Sequence, residues 1–434
     1  MDDQRYTLAS SHYPIVDNHI ANDPTPKDQA IYVPSVTPGF AIDVHAGNWS
    51  RALPHGVQDN ELNFLDPNNK LFRISHAMSS AGQALNQIRP CIITQRDRAN
   101  TTLICDSGGY QIASGRLHIS GDADRLRILR WMERHANYAM TLDVPTGPVL
   151  KGDYAFTSTR DCLNATLQHL DFFHAHRVPE AVKLLNVLQG NTPAEADAWY
   201  DAVKVYDFEG WAFAGLLRHN IYHLCRRLII MAHENQLQTK SWIHVLGTCE
   251  LDAAVLLTAV QRSINRHINP NLRISFDTSS PFRMLQHKTA YAIPTFDTER
   301  MVMPAKRAPN GYEHVGSPIR WPWPSALGDR MTLGDFCVPM HPTVDSTHDK
   351  QSNYYLAHHN LSALCWGIAL ANRVFDSESV DHSHTIAYPV GAAVEAIDIV
   401  LASGSLVKLA SYQNTFARLR HGFSEDAGDE EREF

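Results

Sequence analysis

The sequence predicts an α/β protein built on a (β/α)8 TIM barrel, from three observations: a repeating strand-then-helix rhythm, polar strand ends and the chain length. Short apolar runs at 102–105, 138–142, 183–188, 211–214, 242–246 and 273–276 each close on Asp, Gln or Gly, and stretches with helical spacing follow them. Between the closing residues Asp106, Asp143, Gln189, Gly215, Gly247 and Asp277 the steps are 37, 46, 26, 32 and 30 residues. A βα unit needs about 30 residues, so the rhythm indicates a parallel sheet rather than a meander. An open sheet shares that rhythm but concentrates its functional residues at one switch point. Polar or glycine ends on almost every strand favour the barrel, whose site is assembled from many strand ends. The 434 residues accommodate a barrel of about 250 residues with appendages.

Taken in order, residues 1–70 are rich in Pro, Asp and Asn and read as an irregular N-terminal cap, with short strand-like runs at 31–36 and 40–44. The barrel is expected over 71–303, its two remaining strands falling at 71–75 and within 291–302. Residues 304–424 form a C-terminal subdomain: a Pro-rich, basic and aromatic loop, then helices at 352–374 and 392–413. An acidic tail, 425–434, reads as disordered.

With 44% hydrophobic and 19% charged residues the chain can fill a packed core, which excludes wholesale disorder. No apolar run reaches the roughly 18 residues a membrane helix needs, and the start, Met1-Asp2-Asp3-Gln4-Arg5, is not a leader pattern. Neither secretion nor membrane insertion is expected. Seven cysteines without a Cys-x-x-Cys pair point to a reducing cytoplasm rather than a disulfide framework. The net charge of −8 comes largely from the tail, so global charge gives no support for nucleic-acid binding and leaves room for a local basic patch.

The most distinctive stretch is Cys105-Asp106-Ser107-Gly108-Gly109-Tyr110-Gln111, directly after a strand. Its glycines allow a sharp turn and close approach to a ligand, and its aromatic can stack on a flat base. The same residues would equally make a tight βα turn capped by Asp and Ser. A second acid closes a strand in Phe276-Asp277-Thr278-Ser279-Ser280-Pro281-Phe282-Arg283. Two acids on separate barrel strands could flank one ligand as nucleophile and general acid/base of a glycosyl transfer.

Those two stretches, with Thr141-Leu142-Asp143, Val187-Leu188-Gln189-Gly190 and Ala214-Gly215-Leu216 in order between them, resemble the tRNA-guanine transglycosylase superfamily over roughly residues 70 to 375. The resemblance implies a base exchange in which Asp277 attacks C1′, guanine leaves and a 7-deazaguanine displaces the enzyme, with Asp106 as general acid/base. It further implies that Asp143 reads guanine N1 and the exocyclic amine. Gln189 and the N–H of Gly215 would then donate to O6, and Ser107, Gly109, Tyr110 and Leu216 would line the pocket, Tyr110 stacking on the base.

The chain departs from the family at its zinc site. The family has Cys-x-Cys-x-x-Cys before a His-Asn pair; here His359-Asn360 remains, but only Cys337 stands in the cysteine region. A Zn2+ site would need Cys337, His341 and His359, with His348 a further candidate, a mixture zinc accepts; packing without metal is the alternative. After the glycine loop comes Leu216-Leu217-Arg218-His219-Asn220, where aminomethyl-deazaguanine enzymes of the family carry a carboxylate. Together with the Asp-Val-Pro-Thr-Gly and Thr-Ser-Ser wording, and no added RNA-binding domain, this looks more like the DNA-guanine transglycosylase branch. It implies DNA as polymer, with tRNA the alternative, 7-cyano-7-deazaguanine as incoming base, and an accessory protein of a DNA-modification system as candidate partner. Arg283, Lys306, Arg307, Arg320 and Trp321, the last beside Trp323, are candidate nucleic-acid contacts around a flipped guanine; a packed surface loop is the other reading of 306–323. Retention of both Asp106 and Asp277 argues against a non-catalytic partner subunit of the same fold.

Overall fold

The computed structural model describes residues 26–419 apart from 86, 88, 114, 153–154, 249, 341–345 and 377–386. Eight parallel strands form its main sheet: β1 (Ile31–Pro34), β2 (His76–Ser80), β3 (Thr102–Asp106), β4 (Tyr138–Met140), β5 (Lys183–Leu188), β6 (Gly210–Phe213), β7 (Trp242–Val245) and β8 (Arg273–Thr278). From β2 onward each strand pairs with its successor, and β8 returns to β1. The Ser35–Met78 bridge and a 2.9 Å hydrogen bond from Val36 N–H to Met78 O bring β1 against β2. The result is a (β/α)8 barrel followed by a C-terminal helical region.

The six runs identified from spacing are β3 to β8. The other two strands lie elsewhere than expected. β1 comes from within the 1–70 segment read as a cap, and β2 starts at His76 rather than at 71. β1 is buried at every residue, so it shows no alternation to mark it within polar surroundings. The 40–44 run is helical, in Pro38–Ala46: Pro38 opens the helix and Gly47, at φ 63°, closes it. Residues 291–302 add no barrel strand; Thr295–Phe296 and Met301–Val302 pair with each other, and Thr289–Tyr291 pairs with Ala305–Arg307.

Local signals explain several of the helix ends. Pro193–Val203 starts at a reciprocal capping box between Thr192 and Glu195, and Ser158 caps Thr159–His176. The expected 392–413 helix is Tyr388–Ser403 instead, ended by Gly404 at φ 60°. Lys350–Asp376 lies against Leu251–His267 and the Ser280–Arg283 turn, so the C-terminal region supports the barrel where β8 ends. No helix among the described residues is long and apolar enough to cross a membrane.

Two apolar cores result. The larger fills the space between strands and helices, and a smaller one inside the barrel contains Ile31, Val33, Met78, Ile104, Met140, Leu185, Val187, Ala212 and Trp242. Along each strand the residues flanking these, such as Leu103 and Cys105 or Ile243 and Val245, join the outer core.

Candidate active site

Strand alternation decides which polar residues enter the barrel. Side chains two apart share a face, so Ile104 inside puts Asp106 inside at the end of β3, Met78 brings Ser80, and Trp242 brings His244. On β8, Ile274 and Phe276 face the outer core, leaving Ser275 and Asp277 for the interior. All of these sit toward the C-terminal strand ends, where barrels assemble their sites.

Asp277 is buried, and its Oδ1 accepts from Gly247 N–H at 2.7 Å and lies 3.1 Å from His244 Nε2. His244 is fully buried, with Nδ1 2.7 Å from Ser275 Oγ, which also accepts from Trp242 Nε1 at 2.7 Å. Asp106 lies across the mouth. Burial pushes its carboxyl up to about 6, against the hydrogen bond from Ser80, with the charge of Asp277 adding to the rise. Asp143 follows β4 and is pushed up to about 7, first by burial and then by the charge of Asp106. Gln189 Nε2 donates to Asp143 Oδ2 at 2.7 Å, and Ser107 Oγ stands 3.5 Å from its Oδ1. The charge of Asp277 thus acts on Asp106 and that of Asp106 on Asp143, adding to burial in raising these two carboxyls, a pattern concentrated at functional sites.

The glycines make this crowding feasible. A Cβ on Gly108, at φ 105°, would meet the Gly82 backbone at 2.9 Å; on Gly109 it would meet Asp143 Oδ1 and Pro145 at 3.2 Å. The turn expected from the Ser-Gly-Gly sequence is therefore also what lets β3 and the Asp143 segment approach. Gly215, at φ 52°, lies so close to Gly190 that a Cβ would fall 2.3 Å from its carbonyl oxygen. Leu216 N–H bonds that oxygen at 2.8 Å, while Gly215 N–H opens the Gly215–His219 helix, where the first N–H groups have no partner within the helix.

Asp106, Ser107, Gly109, Asp143, Gln189, Gly215 and Asp277 therefore converge, whereas the side chain of Tyr110 lies outside the described residues. His244, Ser275, Trp242 and Ser80 were missed in the sequence; two-residue alternation back from Asp277 places Ser275, and the same alternation along β7 and β2 places Trp242, His244 and Ser80. Arg218 is also closer to the chemistry than its sequence position showed: its Nη1 would lie 2.6 Å from a Cβ on Gly247. Its Nε donates to His219 Nε2 at 2.8 Å, and burial together with the Arg218 charge pulls His219 down to about 3. A separate cavity of about 570 Å3, lined by Arg73, Ser75, Arg98, Asn100, Thr101 and Asn137, opens at the opposite strand ends, and among the described residues no carboxylate lines it.

The basic loop is only partly as expected. Lys306, Arg307 and Arg320 are exposed, and Arg283 is half-buried just after β8. Trp321 corrects the reading: it is 5% exposed and packs on Phe336, His359 and Trp323 at ring distances of 4.7, 5.2 and 5.3 Å. A ring buried in that cluster is not presented for base stacking; the Pro-rich segment folds inward onto the Lys350–Asp376 helix.

His359 does not fit a zinc ligand as it is folded. Its Nε2 donates to Tyr291 O at 2.9 Å, which leaves the lone pair on Nδ1, and Ser325 Oγ engages that nitrogen at 2.7 Å, so neither nitrogen is turned to a metal. Cys337 Sγ and His348 Nε2 both point at Pro309 O, at 3.4 and 2.7 Å, and His341 lies outside the described residues. Among the described residues no group of three His, Cys, Asp or Glu side chains is placed to hold a metal. His359-Asn360 serves as a latch instead: Asn360 Oδ1 accepts from Tyr291 N–H at 2.8 Å and Nδ2 donates to Thr289 O at 3.1 Å, tying the long helix to the segment after β8.

Fold and site together define a (β/α)8 barrel whose mouth carries three interacting carboxyl groups. Neither a family model nor a curated protein sequence matches the chain.

Proposed function

We propose that this protein is a DNA-guanine transglycosylase that replaces guanine with 7-cyano-7-deazaguanine through a covalent Asp277 intermediate. The observation that carries the reading is the division of labour among the carboxyl groups. Asp277 is held on one oxygen by two hydrogen bonds, and among the described residues Oδ2 has none. Asp106, at about 6, can hold and release a proton near neutrality. In the proposed reaction Asp277 Oδ2 bonds to C1′ as the C1′–N9 bond breaks, with Asp106 protonating the departing guanine. Asp106 then takes the N9 proton of the incoming base, which displaces Asp277 and restores the original configuration.

Asp143 and Gln189 supply an acceptor and an amide donor at one edge of the pocket, suited to guanine N1–H, the exocyclic amine and O6. Adenine would leave these buried groups mispaired. The Arg218 cation supports a neutral nitrile substituent over an ammonium, because like charges repel. Buried strand ends cannot reach C1′ of a stacked, paired nucleotide, so the target must be flipped out, with exposed Lys306, Arg307 and Arg320 available for phosphates. The test is to incubate the protein with DNA or tRNA plus the cyano or aminomethyl base, then digest and analyse nucleosides by mass spectrometry. Modified nucleoside in DNA with the cyano base is expected. Product in tRNA alone would favour the RNA enzyme, and product in neither would remove the reading.

A further inference from the structure

We infer that His244 is the positioning residue for Asp277, held as the neutral Nε2–H tautomer by a one-way hydrogen-bond relay that begins at the Trp242 indole. The inference rests on the reading of Asp277 as nucleophile for its catalytic meaning, but the relay itself follows from donor and acceptor chemistry. An indole N–H can only donate, so Ser275 Oγ must accept at its 2.7 Å contact with Trp242 Nε1. Ser275 is fully buried, and among the described residues its hydroxyl has one acceptor within reach, His244 Nδ1, also at 2.7 Å. If Nδ1 carried a proton, the serine hydrogen would be left buried without a partner, which folded proteins avoid. Nδ1 is therefore bare, the proton sits on Nε2, and Nε2–H points at Asp277 Oδ1, 3.1 Å away.

The relay has a consequence at the site. Gly247 N–H and His244 Nε2–H both bind Oδ1, so the carboxylate is fixed in rotation and its other oxygen is the one available for bond formation. His244 is thus a fixed donor, not a proton carrier, and the proton transfers stay with Asp106.

Nitrogen-15 histidine NMR of the full chain reads the tautomer without any substrate, the His244 signals being identified by their absence in His244→Gln. Wild type at neutral pH should show Nε2 protonated and Nδ1 bare. In Ser275→Ala the Nδ1 resonance should shift as its hydrogen bond is lost, while Nε2 stays protonated against Asp277; in Asp277→Ala the Nε2–H proton should move upfield as its hydrogen bond is lost. An Nδ1–H tautomer, an imidazolium, or no response to Asp277→Ala would overturn the proposal. For base exchange, His244→Leu should lower kcat about a hundredfold with KM within twofold, and His244→Gln, which can place an N–H near the same point, should recover most of it. Equal loss in both variants would overturn the positioning role; should His244→Leu not fold, Ser275→Ala, expected to lower kcat about tenfold, carries the same comparison. If wild type exchanges no base at all, the proposed function fails while the NMR arms still decide the relay.

Discussion

The acid-lined mouth and the His359-Asn360 latch are both buried polar clusters, but they are built on opposite principles. In the latch every side-chain polar atom of the two residues is paired: His359 with Ser325 and Tyr291, Asn360 with Tyr291 and Thr289. At the mouth three carboxyl groups compete for few donors, and two of them are pushed up to about 6 and about 7. Satisfied polar groups specify a fold, whereas surplus acceptors cost stability and are kept where a ligand supplies the missing donors. The His-Asn pair and the acids look alike as isolated sequence signals; their partners separate them.

The sharpest way to break this comparison is to remove a carboxylate from each chemical step. Asp277→Ala should lower base exchange by at least ~10^4-fold and abolish any covalent adduct with nucleic acid, while circular dichroism stays unchanged. Asp106→Asn should cost about 10^2- to 10^4-fold yet leave Asp277 able to form the adduct. Adduct formation by Asp277→Ala, seen on a denaturing gel, would reverse the assignment.

The latch should behave in the opposite way. His359→Ala deletes a buried ring and orphans a hydroxyl and a carbonyl, so denaturant unfolding should show a loss of about 3 kcal/mol. Chelator should leave the wild-type melting temperature unchanged, because hydrogen bonds hold the latch; a large drop would restore the metal reading.

At the mouth, removing charge should stabilise. The folded-state value for Asp143, about 7, lies above its ordinary 3.8, so folding takes up a proton between them. The stability this supplies is full below about pH 3.8 and gone above about pH 7. Asp143→Asn should therefore be more stable than wild type at pH 8, by on the order of 2–4 kcal/mol, with the difference shrinking toward pH 4. Urea melts at several pH values would show it, and a destabilised Asp143→Asn at pH 8 would mean that Asp143 belongs with the latch in kind.

The smallest effect concerns ligand binding. If Asp143 must be ionised to accept from guanine N1–H and the amine, affinity for free guanine should rise about tenfold per pH unit below about 7 and level off above it. Calorimetry should find that slope in wild type and none in Asp143→Asn.

Six of the eight strands and the main acids were legible because each lies where a short apolar run meets a polar residue or glycine, a local pattern repeated at βα spacing. The 31–36 run was legible as a short strand but not as β1 of the barrel, because it lies among polar residues far from the βα rhythm and its burial on both faces leaves no alternation to assign it. Gly108, Gly109 and Gly215 were readable as sites of close approach, but what approaches them, Gly82, Asp143 and Gly190, is decided by segments distant in the chain.

By itself the sequence determined the rhythm of the barrel and the identity of Asp106, Asp143, Gln189 and Asp277, since both depend on residue type and spacing along the chain. Only the tertiary structure decided that Trp321 packs inward, that His359 is committed to backbone and hydroxyl partners, and that Trp242, Ser275 and His244 stand in line beneath Asp277. Burial and hydrogen-bond partnership are properties of the space around a side chain. Barrel closure brings residues from β7 and β8 into that space together, and no stretch of sequence short enough to read locally contains both.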